Sequence, residues 1–170
     1  MALLVAGATL LPIQAAVPTA QSAEERIERS IRKELITMPF LTIFDNLSYR
    51  VDGNTVYLYG QVIRPTLKSD AANRVARLEG IAHVNNQIEV LPLSPFDDRL
   101  RLAVARAVYG QPALNRYAVG ANPSIRIIVK NGNVTLEGIV ADAGARNIAN
   151  LQANGVSGVF SVTNNLRVEK

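Results

Sequence analysis

Few residues of this chain could do acid–base, nucleophilic or metal chemistry, and those few lie apart from one another. Its 170 residues include no cysteine and one histidine, His83. A thiol nucleophile, a disulfide framework, a thiolate metal site and any mechanism with two imidazoles are therefore excluded. His83 lies between Ala82 and Val84 at the start of a strand-like segment, and no acidic motif accompanies it. We expect a structural or surface histidine at this position, not a metal ligand or a base.

Two pairs of adjacent carboxylates, Glu24–Glu25 and Asp97–Asp98, are the remaining candidates for acid–base catalysis. Each pair lies in the predicted first turn of a helix, where the helix dipole favours negative charge, so catalysis is not needed to explain them. The chain has no G-x-S-x-G or Walker A sequence, which argues against serine-hydrolase and P-loop chemistry. We therefore expect a protein that is not an enzyme and that uses no metal and no cofactor.

One glycine pattern could contact a nucleic-acid backbone. Gly155-Val-Ser-Gly158 fits the G-x-x-G loop of KH domains. In those domains the loop joins two helices, whereas here it precedes a strand, and the first half of the chain has no counterpart. We therefore expect no nucleic-acid partner.

The net charge of +4 at neutral pH belongs to the second half of the chain. Residues 24–92 carry nine basic and nine acidic side chains, whereas residues 93–170 carry nine basic and five acidic ones. Arg99 and Arg106 are seven residues apart and so lie near one face of a predicted helix. Such a surface could attract anionic phospholipid while tyrosines lie at the interface, although solvated arginines are the plain alternative. The lipid-binding candidates are Arg99, Arg101, Arg106, Tyr109, Arg116, Tyr117, Arg126 and Lys130.

The first 23 residues carry no charged side chain. The apolar run over residues 2–11 has the length of a signal-peptide core, and prolines interrupt it before it reaches the ~20 residues that span a bilayer. No basic residue precedes the run, which departs from the usual signal peptide, and a buried N-terminal helix is the alternative. We interpret residues 1–22 as a targeting segment with Ala20-Gln21-Ser22 as its cleavage tripeptide. The chain is therefore expected to be exported, and its lack of cysteine removes any need for oxidative folding after export.

The rest of the chain contains an internal repeat. Gly60 and Gly138 each follow a strand-like run, VYLY and VTLE, and they are 78 residues apart. Nine pairs of identical residues align at this spacing without a gap, which chance rarely produces. We therefore interpret residues 23–92 and 93–170 as two copies of one domain. The pairs are Val51 and Val129, Val56 and Val134, Leu58 and Leu136, Val62 and Val140, Ala71 and Ala149, Gly80 and Gly158, Val84 and Val162, Asn86 and Asn164, and Val90 and Val168.

Each copy has the pattern of a helix, a hairpin, a second helix and a last strand. Ser22 begins a capping box before the first helix of copy one, and Ser94 with Pro95 begins that of copy two. Because the last strand must pair with an earlier one, we expect an α+β fold of two tandem α-β-β-α-β repeats, each a small three-stranded sheet with two helices packed on one face. The predicted helix stripes are Ile27, Ile31 and Leu35; Leu67, Ala71, Val75 and Leu78; Leu100, Val104 and Val108; and, after an Asp142 cap, Ala145, Ile148, Ala149 and Leu151.

Six glycines are expected at tight turns and at the ends of helices or strands, because glycine adopts positive φ without strain. Asp52-Gly53 and Asn131-Gly132 in particular predict tight hairpins. The six turn glycines are Gly53, Gly60, Gly80, Gly132, Gly138 and Gly158.

Tyr57 and Tyr59 are two residues apart in one predicted strand, and Tyr57 points opposite to Val56 and Leu58. Both tyrosines are therefore expected on the sheet face away from the helices. They are either surface tyrosines or a contact for the other copy or for a protein partner.

The two copies resemble the BON domain (bacterial OsmY and nodulation), a small α-β-β-α-β module. The resemblance rests on the hairpins DGNTVYLYGQV and NGNVTLEGIV and on the segments GIAHVNNQIEV and GVFSVTNNLRV. It implies a non-catalytic binding module of an exported envelope or periplasmic protein, and functions proposed for the family include phospholipid attachment, osmotic-stress protection and folding assistance. It implies no catalytic residue, since the family motif contains none.

Two functions follow as expectations. The first is reversible association with anionic phospholipid membranes, chiefly through the second copy, linked to envelope or osmotic stress. The second is a periplasmic protein-interaction or chaperone-like module that binds polypeptide partners, including envelope proteins, through Tyr57 and Tyr59.

Overall fold

The structure, a computed structural model, describes residues 20–120 and 122–169, with side chains from residue 24 onward. It consists of two α+β repeats in tandem, as predicted, and both follow the order helix, hairpin, helix, last strand. The first repeat contains α1 (Ala20–Ile36), β1 (Asn46–Asp52), β2 (Thr55–Val62), α2 (Pro65–Ala76), β3 (His83–Asn86) and β4 (Glu89–Val90). The second contains α3 (Pro95–Tyr109), a 3₁₀ turn (Asn115–Ala118), β5 (Ile125–Lys130), β6 (Asn133–Val140), α4 (Ala143–Asn154) and β7 (Ser161–Val168).

The predicted targeting segment lies almost wholly outside the described residues, which begin at residue 20. Its last three residues, Ala20 to Ser22, belong to α1. Ser22 is therefore inside the helix, and the predicted capping box at its start is wrong. Ser94 and Asp142 do cap α3 and α4, since their side chains accept hydrogen bonds from the N–H groups of Asp97 and Ala145.

The central strand of each sheet is the second strand of the hairpin. β1 runs antiparallel to β2, and β3 and β4 both run parallel to it, so the last strand of the first repeat is split in two. The second repeat has the expected three strands in the order β5-β6-β7, with β7 parallel to β6. Asn86 and Asn164, one of the repeated pairs, have the same structural role in the two repeats. Each side chain donates to a backbone carbonyl of the preceding helix and accepts a hydrogen bond from the backbone N–H two residues later.

Each repeat has its own apolar core between its helices and its sheet. The predicted stripes form these cores, with one exception: Leu151 is 67% exposed, and Ala153 occupies the buried position on α4. The first core contains Ile31, Leu35, Met38, Val56, Leu58, Val62, Leu67, Ala71, Val75 and Ile88. The second contains Leu100, Val104, Val108, Leu114, Tyr117, Ile125, Ile127, Val129, Val134, Leu136, Val140, Ala145, Ala149, Ala153 and Leu166.

Gly60 and Gly138 occupy equivalent places in the two hairpins. Their φ angles are 114° and 125°, and a Cβ atom would lie 2.0 Å from the Asn46 carbonyl oxygen and 1.8 Å from that of Ser124. Only glycine permits the neighbouring strand to approach so closely. The six predicted turn glycines all have positive φ: Gly53, Gly60, Gly80, Gly132, Gly138 and Gly158.

The two repeats contact each other along β5. The Ile127 N–H donates to the carbonyl of Ile43 at 2.8 Å, and Ile43 and Phe44 pack against the second core. Arg126 Nη1 donates to the Thr42 carbonyl at 2.9 Å. The segment that joins α1 to β1 in the first repeat therefore lies against the edge of the second sheet.

Candidate functional site

Two of the predicted lipid-binding residues are buried in the second repeat. Arg101 is 2% exposed, and its guanidinium donates to the Val129 carbonyl at 2.8 Å and pairs with Asp98. Tyr117 is 9% exposed, and its hydroxyl accepts a hydrogen bond from the Ala141 N–H at 2.9 Å. Neither side chain can reach a membrane surface in this fold, so both predictions are wrong.

Arg101 instead helps to cap the outer edge of β5, together with Tyr109. The N–H groups of Phe160 and Glu169 donate to the carbonyls of Gly132 and Val140. The even-numbered residues of β6 therefore direct their backbone N–H and C=O groups toward β7. The odd-numbered residues of β6 therefore pair with β5, which leaves three residues of β5 with their N–H and C=O groups on the outer edge. Those residues are Ile125, Ile127 and Val129.

Each of these three residues finds a partner. The Tyr109 hydroxyl donates to the Ile125 carbonyl, Arg101 donates to the Val129 carbonyl, and the Ile127 N–H donates to Ile43. An unpaired strand edge is a site for unwanted strand pairing, and these contacts cover part of this edge by bonding one backbone group of each residue. Three of the predicted lipid residues, Arg101, Tyr109 and Arg126, thus serve the edge of the second sheet and its contact with the first repeat.

Burial of the Tyr109 hydroxyl raises its pKa to about 12, an effect that the charge of nearby Arg126 partly opposes. Burial also lowers the pKa of Arg126, against the favourable charges of Tyr109 and Asp45. Both shifts follow from the partial burial of the two side chains at this end of the interface between the repeats.

We expect the second repeat to lose less of its free energy of unfolding above pH 10 when Tyr109 is replaced by phenylalanine. The unfolded tyrosine ionises near its ordinary pKa of 10 and the folded one only near 12, so stability is complete below pH 10 and falls between pH 10 and 12. Urea unfolding at pH 8 and pH 11 measures this difference. Tyr59→Phe is the control, and an equal effect of the two substitutions on the pH dependence would contradict the role of Tyr109.

Two of the exposed members of the predicted set lie on the outer face of α3. Arg99 and Arg106 are exposed, and Leu102, which is 51% exposed, lies between them on the same face. Arg116 is exposed on the 3₁₀ turn that packs against α3, with its guanidinium 5.4 Å from the Tyr117 ring centroid, and Val119 follows it with 77% exposure. Lys130 is also exposed, but its ammonium pairs with Glu89 of the first repeat at 2.6 Å.

Two phenylalanines complete this surface, and the sequence reasoning missed both. The rings of Phe96 and Phe160 stack with centroids 6.1 Å apart, and they are 39% and 73% exposed. Phe96 is three residues before Arg99, so the pair lies at the N-terminal end of the same helix face. The sequence did contain one indication of this surface, because Phe160 is a large apolar residue immediately before a polar strand. We call the surface formed by Phe96, Phe160, Arg99, Leu102 and Arg106 the α3 face.

The paired carboxylates of α3 have structural partners. Asp97 is fully buried, and its two carboxylate oxygens accept hydrogen bonds from the N–H groups of Asn131 and Gly132, both at 2.8 Å. Asp98 pairs with Arg101. His83 is exposed at the start of β3. Among the described residues there is no cluster of three or more histidine, aspartate or glutamate side chains that could hold a metal ion.

Tyr57 and Tyr59 lie half-buried on the sheet face away from the helices, on β2. The Arg50 guanidinium lies 4.9 Å from the Tyr57 ring centroid. Within the described part of the chain, the hydrogen bonds and ion pairs that join the two repeats come from other residues: Thr42, Ile43, Glu89, Arg126, Ile127 and Lys130.

Comparison with known proteins identifies the fold and its family. No curated protein matches the chain. Two solved structures of CdsD, described as a structural protein of the type III secretion system of Chlamydia trachomatis, are 12% identical, with TM-scores of 0.34 and 0.33. One of them, its C-terminal domain, aligns over 84% of this chain and 96% of its own; the other aligns over 85% and 94%. Structural similarity at this level does not indicate the function of this chain.

No helix within residues 20–120 and 122–169 has both the length and the apolar character needed to cross a membrane. The BON domain family matches the chain twice, over residues 23–92 and 99–170. The chain therefore belongs to the BON-domain family and carries two copies of the domain.

Proposed function

We propose that this protein binds reversibly to anionic phospholipid membranes through the α3 face. BON domains are in general non-catalytic modules, typical of envelope-associated, phospholipid-binding proteins. The observation that supports the finer proposal is the placement of Arg99 and Arg106 on either side of exposed Leu102, beside the exposed Phe96–Phe160 pair. Guanidinium groups and apolar side chains on one exposed face suit the charged and apolar layers of a membrane interface.

The chemistry of the face favours shallow and reversible attachment. Basic side chains near an anionic surface contribute about 1 kcal/mol each, so Arg99 and Arg106 together provide about 2 kcal/mol. Insertion of the Phe160 ring and the Leu102 side chain at the boundary between headgroups and acyl chains adds apolar burial. Such an attachment orients the second repeat toward the membrane and is weakened by salt.

Location and physiological role belong to the same proposal. We place the protein at the periplasmic side of an envelope membrane, with residues 1–22 as its targeting segment and a role in envelope or osmotic stress. Cell fractionation with N-terminal sequencing of the mature chain tests this part. Recovery of the protein in the cytoplasm would contradict it.

We expect the double substitution Arg99→Gln and Arg106→Gln to weaken binding to anionic vesicles about 30-fold, because two contributions of about 1 kcal/mol are lost. Co-sedimentation with phosphatidylcholine vesicles, with and without phosphatidylglycerol and at low and high salt, measures the change. The matched control is Arg29→Gln with Arg32→Gln, which removes the same charge from exposed positions on α1 of the first repeat. Vesicle binding that does not depend on lipid charge, or an equal loss of binding affinity in both double variants, would contradict the proposal.

A second candidate function is the binding of polypeptide partners. The half-buried rings of Tyr57 and Tyr59, on the face of the first sheet away from its helices, favour it. Suppression of the aggregation of a client protein separates the two functions, because polypeptide binding on this face needs Tyr57 and Tyr59 but not Arg99 and Arg106.

A further inference from the structure

A polar groove lies between the two repeats, above the face of the second sheet that points away from its helices. It has a volume of about 450 Å³, within the range of about 300–1,000 Å³ that is typical of ligand pockets. Both repeats supply its walls, and the ion pair of Lys130 with Glu89 joins them. Its hydrogen-bonding side chains include Gln61 from the first repeat and Asn133, Thr135, Thr163 and Asn165 from the second.

The register of the second sheet places these side chains next to one another. The buried residues of β6 are even-numbered, so its odd-numbered residues point away from the core. Thr135 is opposite Thr163, and Glu137 is opposite Asn165, in the pairing of β6 with β7. Because neighbouring strands lie about 4.8 Å apart, hydroxyl, carboxylate and carboxamide groups form a closely spaced array on the floor of the groove.

Comparison of the two repeats shows that the repeated fold does not require these short polar side chains. At the spacing of 78 residues, Thr135 and Glu137 correspond to Tyr57 and Tyr59 of the first repeat. The same sheet face therefore accepts two large aromatic side chains in one copy and carries smaller polar ones in the other. The smaller side chains leave room above the second sheet, so the groove is a property of the second repeat's own sequence.

The charged side chains of the groove already have partners in the protein. The Lys130 ammonium lies 2.6 Å from a carboxylate oxygen of Glu89, and the two opposite charges cancel. The Glu137 carboxylate accepts a hydrogen bond from the Asn165 amide at 2.6 Å. The groove therefore has no concentration of one charge that would select an ionic ligand.

Several neutral polar side chains of the groove have no partner. Among the described residues, no group hydrogen-bonds to the side chains of Gln61, Thr135 and Thr163. Carboxamide and hydroxyl groups both donate and accept hydrogen bonds. The apolar members of the lining, Leu91 and Ile128, are only 2% and 4% exposed, so they offer little surface to an apolar ligand. This lining suits a neutral ligand that is rich in hydroxyl groups.

We propose that this groove binds a neutral saccharide, either a free sugar or part of a glycan chain. Each sugar hydroxyl both donates and accepts, so it matches the free hydroxyl groups of Thr135 and Thr163 and the carboxamide of Gln61. Because Gln61 belongs to the first repeat, the site is complete only when the two repeats are in contact. The α3 face lies on the other side of the second sheet, where the helices pack, so the proposal does not depend on lipid binding.

Titration of the full chain, followed by proton–nitrogen NMR correlation spectra, tests the proposal. The probes are maltose, cellobiose and diacetylchitobiose, and the matching hexasaccharides. We expect at least one of these sugars to shift the backbone amide of Thr135 and the side-chain amides of Gln61 and Asn133. Tighter binding of a hexasaccharide than of its disaccharide assigns the groove to a glycan chain, and equal binding assigns it to a free sugar. No shift with any probe, shifts confined to the Tyr57–Tyr59 face, or equal shifts with a blocked serine–glycine–serine peptide would overturn the proposal.

Two substitutions at Thr135 identify the site. Thr135→Tyr introduces the residue that the first repeat carries at the equivalent position, and we expect sugar binding to be lost because the ring fills the groove. Thr135→Val keeps the shape of the side chain and removes its hydroxyl, and we expect about fivefold weaker binding. Thr55→Tyr and Thr55→Val are the matched controls, since Thr55 is a half-buried threonine of the first sheet that does not line the groove. Unchanged sugar affinity in both Thr135 variants, or equal losses at Thr55 and Thr135, would overturn the proposal.

Discussion

Gly138→Ala is expected to lower the free energy of unfolding of the second repeat by roughly 4 kcal/mol, the largest effect of any single substitution considered. The added Cβ would lie 1.8 Å from the Ser124 carbonyl oxygen, which belongs to backbone and cannot rotate away. The φ of 125° is strained for any other residue, so hairpin β5–β6 must change its course. Urea unfolding followed by far-ultraviolet circular dichroism measures the loss.

The control for this prediction is Gly53→Ala in the turn between β1 and β2. Gly53 also has a positive φ, 57°, but a Cβ there meets no atom within 4 Å. This substitution adds only the strain of a left-handed residue, about 1 kcal/mol. Similar losses for Gly53→Ala and Gly138→Ala would show that φ alone, and not the close approach of Ser124, requires glycine in these hairpins.

Asp97→Ala is expected to destabilise the second repeat by about 3 kcal/mol. The Asp97 carboxylate is fully buried and accepts two hydrogen bonds from the backbone of the β5–β6 turn, at Asn131 and Gly132. Alanine would leave these N–H groups without their carboxylate, and each unsatisfied buried donor costs about 1–3 kcal/mol. The midpoint of urea unfolding gives the change.

Asp52→Ala is the matched control for Asp97→Ala. Asp52 lies at the hairpin turn of the first repeat, and its carboxylate is 3.9 Å from the Arg50 guanidinium with both side chains well exposed. An exposed pair of this kind contributes at most about 1 kcal/mol. A loss for Asp97→Ala as small as that for Asp52→Ala would mean that the turn keeps its structure without the carboxylate.

Turn chemistry and apolar periodicity, which are local properties, carried most of the fold prediction. The glycines at Gly53 and Gly132 located both hairpins, and the stripes on α1, α2 and α3 identified the buried faces of those helices. The spacing of 78 residues between Gly60 and Gly138 related the two repeats, because equivalent close approaches require glycine at equivalent positions. The predictions for Ser22 and Leu151 were wrong. Neighbouring residues alone do not decide where a helix starts, as at Ser22, or which residue of one helix turn is buried, as at Leu151.

The candidate site was harder to predict. Arginines and tyrosines have an apolar stem and a polar end, so a sequence does not show whether they lie on the surface or reach a buried carbonyl. Arg101 and Arg106 are five residues apart on one helix, yet one closes the edge of β5 and the other is exposed. The Phe96–Phe160 pair was missed because its members come from a helix and a distant strand end.

The amino-acid pattern was enough to identify a tandem pair of BON domains, to order their helices and strands and to exclude thiol chemistry. It could do so because periodicity, turn residues and composition act between near neighbours. Three-dimensional packing was needed to show which arginines face solvent and which strand edge Ile43 contacts. Those properties depend on how segments far apart in the chain meet, and a strand edge is open or closed only with respect to what lies beside it in space.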